Sequence, residues 1–236
     1  MKLNKILKIN GAEIPLISEE IILQLNAVGI AYFECGGKTR PEGVLEYWIG
    51  RAGKPMQRFF SGFVRSTGEL SPQKWGVYAD ESSILLNAPI SLALRHASLR
   101  EILQKISEHT GIQFEVSQNL LALDVRLPLF HHQGSCIDAL EHLKNSIFFD
   151  HLIWFQTISG AIFFGEWRDC FQAQKTVSIA SNLILKESTD KINLPFFAGF
   201  TPGRVSNLGL LARLKLQGEQ MELMHSKKIP EKIITT

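Results

Sequence analysis

Residues 98–111 read Ser-Leu-Arg-Glu-Ile-Leu-Gln-Lys-Ile-Ser-Glu-His-Thr-Gly, and this stretch decides the fold of the middle of the chain. Ser98 and Glu101 have the spacing of a capping box, in which each side chain hydrogen-bonds the backbone N–H of the other residue. Gly111 stands where a glycine commonly ends a helix. The stretch therefore predicts a capped helix with one apolar face. That face consists of Leu99, Ile102, Leu103 and Ile106.

Strand-like and helical segments surround this helix in the order βαββαββ. A second helix begins near Ser135, and the last two strand-like segments predict a closing hairpin. Residues 89–167 are therefore expected to form a self-contained α+β module. Its predicted strands are 90–94, 112–116, 125–129, 151–156 and 160–167.

The segments on either side of the module favour β structure. Short aromatic and β-branched runs alternate there with Gly/Pro turns, which is typical of a small barrel or sandwich. Gly62, inside Phe60-Ser61-Gly62-Phe63-Val64, predicts a bulge or sharp bend. The predicted strands are 44–49, 58–64, 75–78, 83–86, 176–179, 182–185, 210–216 and 220–224.

The expected fold class is therefore α+β, with two small β-barrel-like domains flanking an inserted βαββαββ module. The first β-barrel-like domain covers residues 1–88, the module 89–167 and the second β-barrel-like domain 168–226. Residues 227–236 are basic and polar, and they predict a flexible tail.

Composition excludes several classes of protein. With 45% hydrophobic and 20% charged residues, the chain is neither disordered nor fibrous. Lys plus Arg number 25 against 23 for Asp plus Glu, so charge gives no reason to expect nucleic acid or an anionic membrane as partner. No apolar run approaches the roughly 18–20 residues of a membrane span, and the first residues lack a secretory signal pattern. We expect a chain that is made and kept in the cytoplasm.

No motif of a phosphate cradle, a nucleophile elbow or a zinc protease is present, so we expect neither a catalytic site nor a cofactor. His131 and His132 are adjacent, so in a strand they point to opposite faces, and no metal site is expected. Cys35, Cys136 and Cys170 are too far apart for a metal knuckle, and they predict buried or idle thiols.

Two pairs of neighbouring carboxylates, Glu19–Glu20 and Asp80–Glu81, also predict no chemistry. Carboxylates that are adjacent in sequence are typical of solvated loops. A glycosidase would need two carboxyl groups facing each other across a cleft, roughly 5–9 Å apart.

Adjacent phenylalanines recur in strand-like contexts. Neighbouring residues of one strand point to opposite faces, so one member of each pair should leave the local core. Two explanations remain open: burial between packed domains, or a subunit interface. The interface candidates are Phe59, Phe60, Phe63, Phe163, Phe164, Phe196 and Phe197, and the same pattern occurs at Phe148 and Phe149.

The module resembles a known small domain. The segments on which this resemblance rests are residues 90–94, 97–103, 110–112 and 139–140. Similar domains occur at the N-terminus of secretins and TonB-dependent receptors, and between the two barrels of phage tail hub proteins. The flanking motifs Phe-Ser-Gly-Phe-Val (60–64), Gly-Ala-Ile-Phe-Phe-Gly (160–165) and Pro-Gly-Arg-Val (202–205, entered from Leu-Pro at 194–195) are similar to those of baseplate hubs of Mu-like phages and of type VI secretion spikes.

This resemblance implies a mechanical function without catalytic residues or cofactors. It implies a homotrimeric ring at the tail tip, whose two barrels per chain match a sixfold tail tube on one side and a threefold spike on the other. The partners would be tail tube and spike proteins, with no nucleic acid and no membrane. The protein would be located in the virion tail, which would be assembled in the bacterial host cytoplasm. The chain is short for a hub. Either a minimal hub that receives a separate spike protein or a different tail component of the same fold would account for this.

Two other readings compete with the hub. The first is a periplasmic secretin-like or receptor-like protein-binding module, against which the missing secretory signal and the flanking β segments count. The second is an enzyme, which would need a cleft with converging ionisable groups.

Overall fold

The computed structural model describes residues 3–116, 125–145, 152–170, 176–188 and 190–226. The helices are α1 (Leu99–Thr110) and α2 (Cys136–Asn145). The strands are β1 (Leu3–Ile9), β2 (Ala12–Ile14), β3 (Leu16–Gln24), β4 (Ile30–Gly36), β5 (Val44–Arg51), β6 (Gln57–Ser71), β7 (Lys74–Glu81), β8 (Pro89–Ser98), β9 (Phe114–Val116), β10 (Arg126–Ser135), β11 (Leu152–Gln156), β12 (Ile162–Glu166), β13 (Lys186–Glu187), β14 (Lys191–Pro195), β15 (Val205–Ser206), β16 (Gly209–Gln217) and β17 (Gln220–His225).

One antiparallel sheet contains strands from both ends of the chain. Its order is β13-β14-β17-β16-β3-β4-β7-β6-β5-β1-β2, and β15 pairs with β16. The two ends meet where β3 pairs with β16, from Gln24 opposite Arg213 to Glu20 opposite Gln217. Their side chains share one hydrophobic core, in which Phe33 and Tyr47 lie with Leu214 and Leu223.

No closed barrel is found among the described residues, where the strand pairing runs in one open path from β13 to β2. The pairing of β3 with β16 joins the two segments that were expected to form separate β-barrel-like domains. The division of the chain at residues 88/89 and 167/168 into separate domains stays a prediction.

The predicted order βαββαββ of the middle segment is confirmed, running from β8 to β12. The Ser98 hydroxyl accepts from the Glu101 N–H at 3.2 Å, while the Glu101 carboxylate accepts from the Ser98 N–H at 2.7 Å. Gly111 ends α1 in the left-handed region with φ 74°. β8 and β10 form a two-stranded ribbon, and β12 pairs with β11 antiparallel and with β9 parallel.

Strands β11 and β12 of the three-stranded sheet β11-β12-β9 are buried on both faces. Trp154 and Phe164 point into the core of the module, against the apolar faces of α1 and α2. Phe155 and Phe163 point to the other face, where Trp167 and residues of the large sheet cover them. The module is thus packed against its flanks through its own sheet.

Several local predictions differ from the structure. Residues 83–86 belong to a 3-10 helix, Ser82–Asn87, and residues 182–185 lie in or directly after another 3-10 turn, Ser181–Leu183. The predicted strand 176–179 contributes only an isolated bridge, from Val177 to Ser206. Strands β1 to β4 were not predicted individually. Phe148, Phe149 and the predicted tail at 227–236 lie outside the described residues.

Candidate functional site

Five of the seven candidate phenylalanines are buried within the chain itself. They have 6% or less of their surface exposed, so in the folded chain they offer almost no area to a neighbouring subunit. These five are Phe59, Phe60, Phe163, Phe164 and Phe196. Phe63 and Phe197 are half-buried and keep exposed surface, so the predicted interface narrows to these two and stays a prediction.

A β-bulge explains why Phe59 and Phe60 are both buried. Tyr47 of β5 pairs with Phe60, whereas the next residue, Trp48, pairs with Arg58, so Phe59 is an extra residue in β6. A bulge interrupts the alternation of side chains along a strand. Both rings therefore enter the same core, where Phe59 meets Phe196 at 6.2 Å between ring centroids.

Phe197 lies in a groove of about 510 Å³ where the two ends of the large sheet approach each other. The Arg51 guanidinium lies 4.8 Å from the centroid of the Phe197 ring, and its Nη2 donates to the Phe196 carbonyl at 3.4 Å. Apolar side chains form most of the lining, among them Leu185, which is 56% exposed. The other lining residues are Leu3, Leu183, Pro195, Glu219 and Gln220.

The β6–β7 hairpin projects beyond the rest of the sheet. β5 pairs with β6 only as far as Phe63, whereas β7 follows β6 to Ser71. Residues 65–71 therefore have one edge that no strand of the described residues covers. Residues 69–73 at the tip are all exposed, and Leu70 is 50% exposed.

The neighbouring carboxylates do not lie in solvated loops, contrary to the prediction. Glu19 is on β3 and buried, with Lys5 Nζ at 2.6 Å from its carboxylate. Asp80 is on β7 and buried beside Arg65, at 3.0 Å. The sequence did not show these ion pairs, because the partners of the carboxylates are distant in sequence.

Glu81 is a buried carboxylate without a cationic partner among the described ion pairs. It accepts a hydrogen bond from the Gly29 N–H at 2.8 Å. Burial raises the pKa of the Glu81 carboxyl to about 8, although this hydrogen bond lowers it. The group lies where β7 leaves the sheet and the chain enters the module.

Polar contacts hold the module on the sheet at the same junction. Gln156 of β11 donates to the Ser61 carbonyl and accepts from the Ser83 N–H, each at 2.8 Å. Arg58 of β6 donates to the Ile158 and Ser159 carbonyls in the β11–β12 turn. These contacts fix the orientation of the module.

No group of three or more metal-ligating side chains occurs among the described residues. In the same part of the chain, no helix is long and apolar enough to cross a membrane. Cys35, Cys136 and Cys170 are buried as predicted, and burial raises the pKa of the Cys35 and Cys136 thiols.

No protein-family model matches the chain. An uncharacterized 58.7 kDa protein of Haemophilus phage HP1 is 25% identical over 229 residues, which are 94% of this chain and 42% of the relative. The chain thus spans less than half the length of that relative.

Two solved structures resemble the chain at low sequence identity. A tail protein from Neisseria meningitidis superposes with a TM-score of 0.70 at 11% identity, covering 97% of this chain and 98% of that one. A component of the E. coli type VI secretion system, described as similar to the T4 tail proteins gp27 and gp5, gives a TM-score of 0.67 at 11% identity, covering 94% and 77%. The chain has the fold of a phage tail protein. The resemblance found in the sequence is confirmed at the level of fold, and that of the module to secretin and receptor domains stays a prediction.

Proposed function

We propose that the chain is a structural component of a phage tail, a hub subunit that forms a homotrimeric ring between the tail tube and the spike. The fold of tail proteins supports the general role. The observation that carries the ring is the open sheet, which has an uncovered edge on β6 at residues 65–71 and ends in the two-residue strand β13.

Uncovered strand edges are suited to pairing with another chain. The uncovered part of β6 differs from the end of the sheet at β13, so pairing one with the other in a second copy is a head-to-tail contact. Repeated head-to-tail contacts generate a ring when the rotation closes. Three copies would thereby present three similar surfaces on each side of the ring.

The proposed role is structural, and no residue is assigned to catalysis. The tail tube and the spike are the proposed partners, and the virion tail, assembled in the host cytoplasm, is the proposed location. No nucleic acid or membrane enters the proposal.

The mass in solution, measured by light scattering after size exclusion, tests the ring. We expect about three times the mass of one chain, and a closed ring in negative-stain images. A chain that remains monomeric, alone and with tail tube and spike proteins added, would contradict the proposal. It would favour the alternative of a periplasmic protein-binding module.

A further inference from the structure

We propose that the tip of the β6–β7 hairpin of one copy inserts into the Arg51–Phe197 groove of a second copy of this chain. The inference rests on the proposed ring and specifies its contact. Leu70 is the residue that enters, and Glu69 is the residue that pairs with Arg51.

The position of the two features argues for a second copy as the occupant. The hairpin belongs to the uncovered edge of β6, whereas the groove lies where the two ends of the sheet approach each other, with Arg51 of β5 on one side and Leu185 and Pro195 on the other. A head-to-tail contact between copies would bring the hairpin tip of one copy to the groove of the next. None of the tip residues 69–73 lines the groove of its own chain.

The shapes and polarities also match. Leu70 is half exposed at the end of a hairpin, and the groove offers an apolar lining with room for a side chain and part of a turn. Burying a leucine that is otherwise exposed to water is favourable. Leu70 and the lining residue Leu185 are among the most exposed large hydrophobic residues described, and the proposed contact covers both.

Charge selects the orientation of the tip. Glu69 is exposed and belongs to none of the ion pairs among the described residues. Arg51 is the one cation and Glu219 the one anion among the described residues that line the groove. A guanidinium has five N–H donors, and Phe197 and the Phe196 carbonyl hold this one in place. The incoming carboxylate should therefore lie at the Arg51 end.

Cysteine crosslinking tests the contact directly. The double variant Leu70→Cys/Leu185→Cys places thiols on two exposed positions, while the native cysteines are buried. Under mild oxidation we expect covalent trimers on a non-reducing gel, because each subunit would be linked to the next. The single variants should give no trimer. The matched control Ile17→Cys/Leu185→Cys, with Ile17 also exposed but on β3, should not crosslink.

A charge exchange gives a second, independent test. Glu69→Arg and Arg51→Glu should each raise the concentration at which the ring dissociates, and the double variant should restore it. Leu70→Ser, which removes the apolar contact but touches no core residue, should raise that concentration about tenfold.

The outcomes separate this inference from the proposed function. Suppose that the wild-type chain is a trimer, that Leu70→Cys/Leu185→Cys does not crosslink and that Leu70→Ser does not weaken the ring. That result would overturn the hairpin contact and leave the ring intact, with the groove open to a different tail protein. A wild-type chain that never forms a ring would overturn both.

Discussion

The inserted module and the sheet around it are specified by the sequence in different ways. All elements of the module lie between Pro89 and Glu166, and its first helix carries its own start and stop signals at Ser98 and Gly111. The large sheet instead depends on β3 and β16, which pair across most of the chain. Local signals thus decide the module, and distant pairing decides the sheet.

Because of this difference, single substitutions should be able to affect the sheet and the module separately. Changes in the sheet that obstruct backbone pairing should disrupt it without removing the helical signals of the module. Changes at the junction should uncouple the regions while leaving both folded.

Gly62→Ala should disrupt the sheet. A Cβ at this position would overlap the Asp80 carbonyl oxygen of the neighbouring strand, and backbone at both strands would have to shift. We expect a loss of about 4 kcal/mol in the free energy of unfolding, measured by urea denaturation.

Gly68→Ala is the matched control on the same strand, because no atom lies within 4 Å of a Cβ built there. Its effect should stay within about 0.5 kcal/mol. Equal effects of the two substitutions would contradict the steric explanation. Survival of the helical circular dichroism in Gly62→Ala would show that the module folds without the sheet.

The contribution of Glu81 to the stability of the chain should decrease between pH 5 and pH 8. The raised pKa of about 8 at Glu81 means that the folded state binds a proton that the unfolded chain has already lost above its ordinary pKa of 4.5. The free energy of unfolding that Glu81 contributes is therefore fully present below pH 4.5, and it is lost as the pH rises toward 8. The expected loss from pH 5 to pH 8 is about 3 kcal/mol.

Glu81→Gln should remove this slope, because the amide does not titrate. Glu108→Gln, at an exposed position on α1, should leave the slope in place. A slope that is the same in wild type and in Glu81→Gln would show that another group causes it.

Gln156→Ala should uncouple the module from the sheet. The substitution removes the hydrogen bonds to Ser61 and Ser83 and leaves their buried partners unsatisfied. We expect a loss of about 2 kcal/mol and a broadened or split transition in calorimetry. Gln104→Ala on the exposed face of α1 is the control, and a single sharp transition in both variants would contradict the coupling role.

Ser98→Ala should destabilise the module alone, and its effect on the free energy of unfolding should be the smallest of the four. It removes the side-chain acceptor for the Glu101 N–H at the start of α1, a change that costs about 1 kcal/mol. Hydrogen exchange should show faster exchange in the first turn of α1 and unchanged protection in β3 and β16. Faster exchange in the sheet would indicate that the module supports it.

The module was predictable because its signals lie close together. The capping box, the apolar face and Gly111 all occur within one helix length, and the structure confirms each of them. For the same reason, the order βαββαββ followed from the sequence. The fold of tail proteins could be predicted only from the resemblance to known motifs.

The candidate site was harder to predict from the sequence, since its features depend on residues that are distant along the chain. The bulge that buries Phe59 is set by the register against β5, and neither strand alone shows it. The groove at Phe197 needs Arg51 and Leu3 from the other end of the chain. Glu81 looked solvated beside Asp80, yet the fold buries it against Gly29.

The pairing of β3 with β16 also determines the order of events on the ribosome. Strand β3 is complete once residue 24 has been made, but its neighbour on one side is not finished until residue 217. At translation rates of about 5–20 residues per second, one edge of β3 stays unpaired for tens of seconds. The module is synthesised in this interval and can fold first. The nascent chain thus carries an open strand edge while residues 25–217 are made, and we expect chaperones to bind it there.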